Sequence, residues 1–332
     1  VLKTTPTIYD VAKTAGVSIA TVSRVLNEPQ KVNEETRQVV FDAISQLGYV
    51  PKAEARARAL RDVRRIGVIA PFFTAPSFVQ RLRGVAEALS DISYELVVYT
   101  ADTMDRVNSY LETLPLTANL SGIIFLSVQI NELQVERLLE RKIEAVLVEA
   151  SSPFFNSVEI DNRSGGVMVA DYLLSKGYER FAFIGTNFPG FGLQPEVQRL
   201  QGFRERLKSQ GVDLSDDRVF MIPYTVEEAR RITLELLDSP EPPQAIFSGT
   251  DLQAMGVLKA ARDRHLRIPQ ELAVVGFDDL DVADYVGLTT ISQHLDESGR
   301  LAANMMLSRL ADPVRPIQHI HLPLSLIIRD SA

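Results

Sequence analysis

The first apolar positions of the chain, Ile8, Val11, Ala12 and Ala15, recur at helical spacing, and Thr7 stands where a hydroxyl can cap the helix they define. Gly16-Val17-Ser18 breaks that pattern. Behind Ser18 a second helix is predicted through Leu26, with Val22, Val25 and Leu26 facing inward. Asn33 caps a third, whose stripe of Val39, Val40, Ala43, Ile44 and Leu47 closes at Gly48. Pro51 then stops regular structure. Residues 52–64 are rich in Ala and Arg, with few large apolar groups, and read as a linker that forms a short helix only when something holds it.

From Arg65 the period changes. Short β-branched runs alternate with amphipathic stretches: Ile66–Ala70, Glu95–Tyr99, Gly122–Phe125, Ala145–Val148, Phe181–Ile184, Val219–Ile222, Ala245–Phe247 and Ala273–Phe277. Strands that are apolar throughout, each followed by a helix, predict parallel sheets covered on both faces. There are too many for one doubly wound unit, so two such α/β lobes with a cleft between them are expected. A Ser/Pro/Asn-rich stretch before Asp161 marks the passage to the second lobe. Thr290-Ile291-Ser292 and the helix Leu295–Leu310 fall outside the βα series and bring the chain back. The expected organisation is an all-α helix-turn-helix head over 1–51 and a linker over 52–64, then a two-lobed core over 65–332. The first lobe takes 65–160 and 291–320, the second 161–290 and 321–332.

Charge sharpens this division. The whole chain carries a net charge of −8. Yet residues 1–65 hold eleven Lys or Arg against seven Asp or Glu, so the front is near +4 and the remainder near −12. A basic end on an acidic body suits a molecule that presents one end to a polyanion. The chain has no cysteine, which removes disulfide, thiol and Cys-ligated metal chemistry and fits a cytoplasmic protein. The N-terminal residues lack the apolar stretch of a secretory signal. His319 and His321 share a strand face, but no carboxylate cluster accompanies them, and no cofactor or metal is expected.

Thr7 through Asn27 is the strongest motif: two helices joined by a tight turn at Gly16, with the small Ala12 and Ala15 allowing close approach. The second helix opens with Ser18-Ile19-Ala20-Thr21, which can enter a major groove, and Thr21, Ser23 and Arg24 offer phosphate or base contacts. An ordinary helical hairpin would show the same periodicity.

This stretch closely resembles the DNA-binding head of the lactose-repressor (LacI/GalR) family. The likeness continues through Val32-Asn33-Glu34-Glu35-Thr36-Arg37 and Leu47-Gly48-Tyr49-Val50-Pro51. It extends over the core at Arg65–Ile69, Ser121–Ile124, Ile160–Gly166, Phe181–Gly185, Arg199-Leu200-Gln201-Gly202-Phe203, Val274–Asp279 and Leu288–Ile291. The resemblance implies a homodimer on a near-palindromic double-stranded operator. It also implies a core like a periplasmic sugar-binding protein, with a small-molecule effector, a sugar or sugar derivative, held between the lobes. Residues after the last apparent strand carry no heptad helix of the kind that joins two dimers, so a dimer is expected.

By the same resemblance, Ile19, Ala20 and Arg24 read bases, with Thr7, Ser18, Thr21, Ser23 and Asn27 completing the DNA-facing set. In the linker the family's wedge leucine is replaced: the run is Ala55-Arg56-Ala57-Arg58, with Leu60 two residues later. Arg56 and Arg58 are therefore expected to make an electrostatic minor-groove contact. The effector positions fall on Phe73, Ser77, Glu149, Asp161, Arg199, Tyr224, Asp278 and Gln293, a set able to bracket ring hydroxyls, with Tyr224 able to stack on a sugar face. Asp161 has a second reading, as the cap of the following helix. Thr250-Asp251 stands where the family has Asn-Asp, so one amide is missing over the cleft.

Three other functions fit less well. Gly190-Phe191-Gly192 opens like a dinucleotide fingerprint, but Pro195 takes the third glycine position and no partner acid is evident. Acidic pairs such as Asp278-Asp279 lack the arrangement of a glycosidase. A transport-type sugar-binding protein would carry a signal peptide and no basic head. The expectation is a DNA-binding regulator, not an enzyme.

Overall fold

The computed structural model describes residues 6–28, 31–49, 64–117, 120–186 and 193–332, in two compact units that meet at Arg64 and Arg65. Arg56, Arg58 and Leu60 of the linker, the Gly190-Phe191-Gly192 run and the side chain of Asn27 lie outside the described residues.

In the first unit α1 (Ile8–Ala15), α2 (Ile19–Asn27) and α3 (Glu34–Leu47) enclose Val11, Ala12, Ala15, Val22, Val25, Val40 and Ala43. Local polar residues fix each helix start. The Asp10 carboxylate accepts from the amide and hydroxyl of Thr7 at 2.8 and 2.7 Å. Ser18 Oγ accepts from the Thr21 amide at 3.0 Å, and Asn33 Oδ1 from the Thr36 amide at 2.8 Å. Caps of this kind contribute about 1 kcal/mol each, a large share of stability for so small a core. Gly16 ends α1 at φ +67°, a left-handed conformation that lets the chain turn directly into α2.

The second unit holds two mainly parallel sheets. The first contains β1 (Arg64–Ala70), β2 (Tyr94–Thr100), β3 (Leu120–Leu126), β4 (Glu144–Val148), β5 (Asn156–Glu159) and β11 (His319–His321), in the order β11-β5-β4-β3-β1-β2. Its helices are α4 (Pro76–Leu89), α5 (Met104–Thr117), α6 (Glu132–Glu140) and α12 (Leu295–Ala311). Ile123 and Phe125 bury on one face with Leu111 and Leu138, while Ile124 and Leu126 bury on the other with Val85 and Met306. Both faces are covered, which is why these strands carry no polar alternation.

The second sheet contains β6 (Phe181–Gly185), β7 (Val219–Met221), β8 (Ala245–Ser248) and β9 (Ala273–Val275), ordered β7-β6-β8-β9 and parallel throughout. It is flanked by α7 (Asn162–Ser175), α8 (Pro195–Ser209), α9 (Val226–Leu237), α10 (Asp251–Asp263) and the short α11 (Asp281–Tyr285). The chain changes lobe after β5. It returns through β10 (Thr290–Ser292), which pairs antiparallel with β12 (Ser325–Ile327). Ile291, Leu324 and Leu326 pack on the second lobe's core, whereas α12 and β11 belong to the first lobe.

Each lobe contains a helix seam closed by a pair of glycines. A Cβ on Gly166 of α7 would stand 1.9 Å from the Arg199 carbonyl oxygen, and one on Gly202 of α8 1.9 Å from that of Arg163. In the first lobe a Cβ on Gly84 of α4 would stand 1.9 Å from the Asp296 carbonyl oxygen, and one on Gly299 of α12 2.0 Å from that of Arg81. Backbone thus rests on backbone in both seams, and each fixes the helix that carries an arginine into the cleft.

Candidate functional site

The cleft lies at the C-terminal ends of the parallel strands, where open α/β sheets bind ligands. Pro71 and Phe72 follow β1, Ser127 follows β3 and Glu149 follows β4; α4 adds Ser77, Phe78 and Arg81. From the second lobe come Pro195, Glu196 and Arg199 of α8, Tyr224 after β7, Thr250 after β8 and Asp278 after β9; Leu193 and Gln293 complete the wall. Phe72, Ser127, Glu149 and Asp278 all have positive φ, at 51°, 53°, 64° and 123°. Left-handed backbone is disfavoured for these residue types, so local strain collects where strand ends turn into the cavity.

Arg199 is 3% exposed and held on every side. Nε donates to Asn162 Oδ1 at 2.8 Å and Nη1 to the Gly249 carbonyl at 2.6 Å, while the guanidinium lies 3.7 Å above the centre of the Phe277 ring. Its Nη1 is 3.7 Å from Asp278 Oδ1. From the other lobe, Arg81 Nη2 pairs with Glu149 Oε1 at 2.8 Å and donates to Gln293 Oε1 at 2.9 Å. Gln293 Nε2 in turn donates to Asp278 Oδ1 at 2.5 Å, and Ser127 donates to Glu149. Glu149, Arg81, Gln293, Asp278 and Arg199 therefore form one polar chain across the cleft. Asp278 Oδ2 and Arg81 Nε, both buried, have no hydrogen-bond partner among the described residues.

Burial sets the acid–base character. Asp278 is pushed up to about 6 by loss of solvent, against the pull of Arg199 and Arg81. Glu196 is pushed up to about 7, again by burial first, with Arg199 opposing and Asp278 and Glu149 adding repulsion. Burial also holds the Tyr224 phenol above its ordinary value, helped by the charges of Asp278 and Glu196 and opposed by a hydrogen bond with Ser77. Behind the wall, Asp251 ties the loop together, accepting from Thr290 Oγ1 at 2.6 Å and from the Leu280 amide at 2.8 Å.

Of the effector positions expected from sequence, Ser77, Glu149, Arg199, Tyr224, Asp278 and Gln293 line this cavity. Two do not. Phe73 is not among the lining residues; the chain turns through a left-handed residue at Phe72, and it is Phe72 that lines the cavity. Asp161 is exposed and caps α7, accepting from the amide and hydroxyl of Ser164 at 2.9 and 2.6 Å, which also holds its carboxyl below the usual range. Thr250 likewise caps its helix while facing the cleft.

Arg81, Ser127 and Glu196 were not expected. The buried stripe of α8 reads Glu196, Arg199, Gly202, Phe203, Leu207, and that of α4 contains Arg81, Gly84, Val85, Leu89. A charge continuing an apolar stripe toward the helix start was the available signal. So was the repeat of Arg81-Leu82-Arg83-Gly84 in Arg199-Leu200-Gln201-Gly202.

In the head, Ser18, Ile19, Ala20 and Arg24 are exposed, Thr21 and Ser23 partly so, and Thr7 is exposed at the start of α1. Ala20 and Arg24 lie one turn apart on α2, opposite the buried Val22 and Val25. Ile19 is 41% exposed, a large apolar group left for an external surface. Tyr9 is exposed as well.

A helix-turn-helix head on a two-lobed α/β core with a polar cleft defines a ligand-controlled DNA-binding regulator. Residues 7–52 match the model of bacterial regulatory proteins of the lacI family, and residues 170–332 match that of a periplasmic binding protein-like domain. The ribose operon repressor of Escherichia coli (strain K12) is 32% identical, over 98% of this chain and 99% of its own. A LacI-family transcriptional regulator from Silicibacter pomeroyi superposes with a TM-score of 0.79 at 27% identity, covering 98% of this chain and 99% of that one. The cellobiose complex of the transcriptional regulator CelR gives 0.69 at 28% identity, covering 98% and 100%. The chain belongs to the lacI family of bacterial regulatory proteins, and it is a DNA-binding transcriptional regulator under the control of a small molecule. Among the described residues no helix is long and apolar enough to cross a membrane.

Proposed function

We propose that this regulator is a homodimeric repressor acting on operator DNA in the cytoplasm, by binding and not by catalysis, and that its effector is a sugar or sugar derivative. The effector sits among Ser77, Glu149, Arg199, Tyr224, Asp278 and Gln293, with Arg81 and Glu196 beside them. Ile19, Ala20 and Arg24 read the operator. The observation that carries the effector reading is the free Oδ2 of Asp278, a buried carboxylate oxygen inside a cavity otherwise laced by hydrogen bonds. A buried acceptor left unmet is costly, and a ligand hydroxyl would satisfy it. The ribose and cellobiose named with two similar proteins support a sugar in particular.

The test is a gel shift on the operator with Arg199→Ala and Asp278→Ala. Each variant is expected to bind operator but to ignore the sugar that moves the wild type, since the head is a separate compact unit. Wild-type response in both variants would place the effector elsewhere. Light scattering at micromolar concentration should give a dimer, and a stable tetramer would contradict that part.

A further inference from the structure

We propose that Glu196 is a specificity-determining residue: with the free oxygen of Asp278 it selects ligands that donate hydrogen bonds, favours an amine over the matching hydroxyl, and turns away anions. The proposal rests on the cleft being the effector site.

Arg81 and Arg199 are the cations that line the cleft, and each guanidinium already holds protein partners. Arg81 is held by Glu149 and Gln293 at 2.8 and 2.9 Å, and Arg199 by Asn162, the Gly249 carbonyl and the Phe277 face. Arg81 Nε has no partner among the described residues, but a ligand phosphate or carboxylate that met it would stand among three acidic side chains, Glu149, Glu196 and Asp278. Like charges brought together out of water are strongly disfavoured.

The carboxylates are not matched in the same way. Glu149 pairs with Arg81, and Asp278 faces Arg199. Glu196 is 5% exposed; among the described residues its carboxylate accepts from its own backbone amide but makes no ion pair or side-chain hydrogen bond. It lies across the ends of β6 and β8, where Gly185 and Gly249 present bare backbone: a Cβ at Gly249 would come within 3.0 Å of Glu196 Cγ, and one at Gly185 within 3.5 Å of its Cβ. The cavity therefore holds one acid more than its cations neutralise.

The groups facing Glu196 are Arg199 of its own helix, Asp278 after β9, Glu149 after β4 and the Tyr224 phenol after β7. Burial and the two acids push its carboxyl to about 7, so near neutrality the empty cleft takes up a proton. A neutral sugar meets Glu196 as an acid. A ligand ammonium supplies the missing positive charge, keeps the carboxylate ionised and gains a charge-assisted hydrogen bond.

The test uses matched probes on the full-length protein: glucose with glucosamine, galactose with galactosamine, mannose with mannosamine, and glucose 6-phosphate and glucuronate as anions. Binding is measured by calorimetry at pH 6 and pH 8 for wild type, Glu196→Gln and Glu196→Met. In at least one pair the wild type should bind the amine about ten-fold more tightly at pH 8, with a smaller margin at pH 6. Both variants should reduce the margin below two-fold while still binding the hydroxyl sugar; circular dichroism verifies folding, and either folded variant suffices. Equal binding of every pair, no binding of any amine, tighter binding of either anion, or a margin that survives removal of Glu196 would each overturn the proposal. Arg199→Ala separates the two layers. If it leaves probe binding intact, the cleft itself has been misread; if it abolishes binding while Glu196→Gln changes no ratio, only the role of Glu196 falls.

Discussion

In the absence of ligand, Glu196→Gln should make the protein more stable at pH 8 and leave it nearly unchanged at pH 5. The folded carboxyl sits at about 7 against an ordinary value of 4.5. Each unit of such a displacement corresponds to about 1.4 kcal/mol, so an ionised Glu196 in the empty cleft costs roughly 3 kcal/mol. The native state holds this proton more tightly than the unfolded chain does. Its stabilising contribution is complete below pH 4.5 and is lost as pH rises toward 7. Asp278 and Asp251 are also displaced upward by burial and give slopes of the same sign; both remain in the variant, so the difference between the two proteins reports Glu196 together with its repulsion of Asp278. Urea unfolding of full-length protein from pH 5 to pH 8 measures it, with tryptophan absent and circular dichroism as the signal. The wild type should lose roughly 2–3 kcal/mol more than the variant over this range. Parallel curves would refute the reasoning, since they would mean that Glu196 is already solvated or paired when the cleft is empty.

Gly202→Ala must force α7 and α8 apart and should cost about 3 kcal/mol or more in chemical denaturation, whereas Gly177→Ala, with open space around it and only a positive φ to oppose, should cost about 1 kcal/mol. Arg83 bridges Asp281 of the second lobe at 2.7 Å and Asp296 of the first at 2.6 Å, on the solvent side of the cleft. Because these pairs are largely exposed, Arg83→Ala should weaken effector binding only about two- to five-fold by titration, and no change would show that the pairs do not favour closure. Arg24→Ala should cost about 1–3 kcal/mol of operator binding and relax preference at one base pair per half-site; an equal loss on random DNA in a competition assay would make Arg24 a phosphate contact.

Element types were legible because burial leaves a strong mark. Strands covered on both faces, such as Gly122–Phe125, carry no polar alternation, and the head's helix starts announce themselves through Thr7, Ser18 and Asn33. The site was legible only in part. Arg199 and Asp278 stand within quoted motifs, but Arg81 and Glu196 are charges on helix faces that read as solvent-facing until a second lobe covers them. Phe73 and Asp161 lie outside the cavity lining for reasons that spacing does not encode. The direction of a ring after β1 depends on the backbone angle at Phe72, and an aspartate before a helix can serve its own amides as readily as a ligand.

The glycine seams give the core the character of a calliper. Arg81 and Arg199 are its jaws, each carried on a helix whose backbone rests directly on a neighbour and so has no slack in which to slide. Separation between these two side chains should then report the angle between the lobes and little else, and spectroscopic labels on the outer surfaces of α4 and α8 would read that angle directly. A ligand that changes the angle between the lobes should therefore change the distance between the two arginines in step.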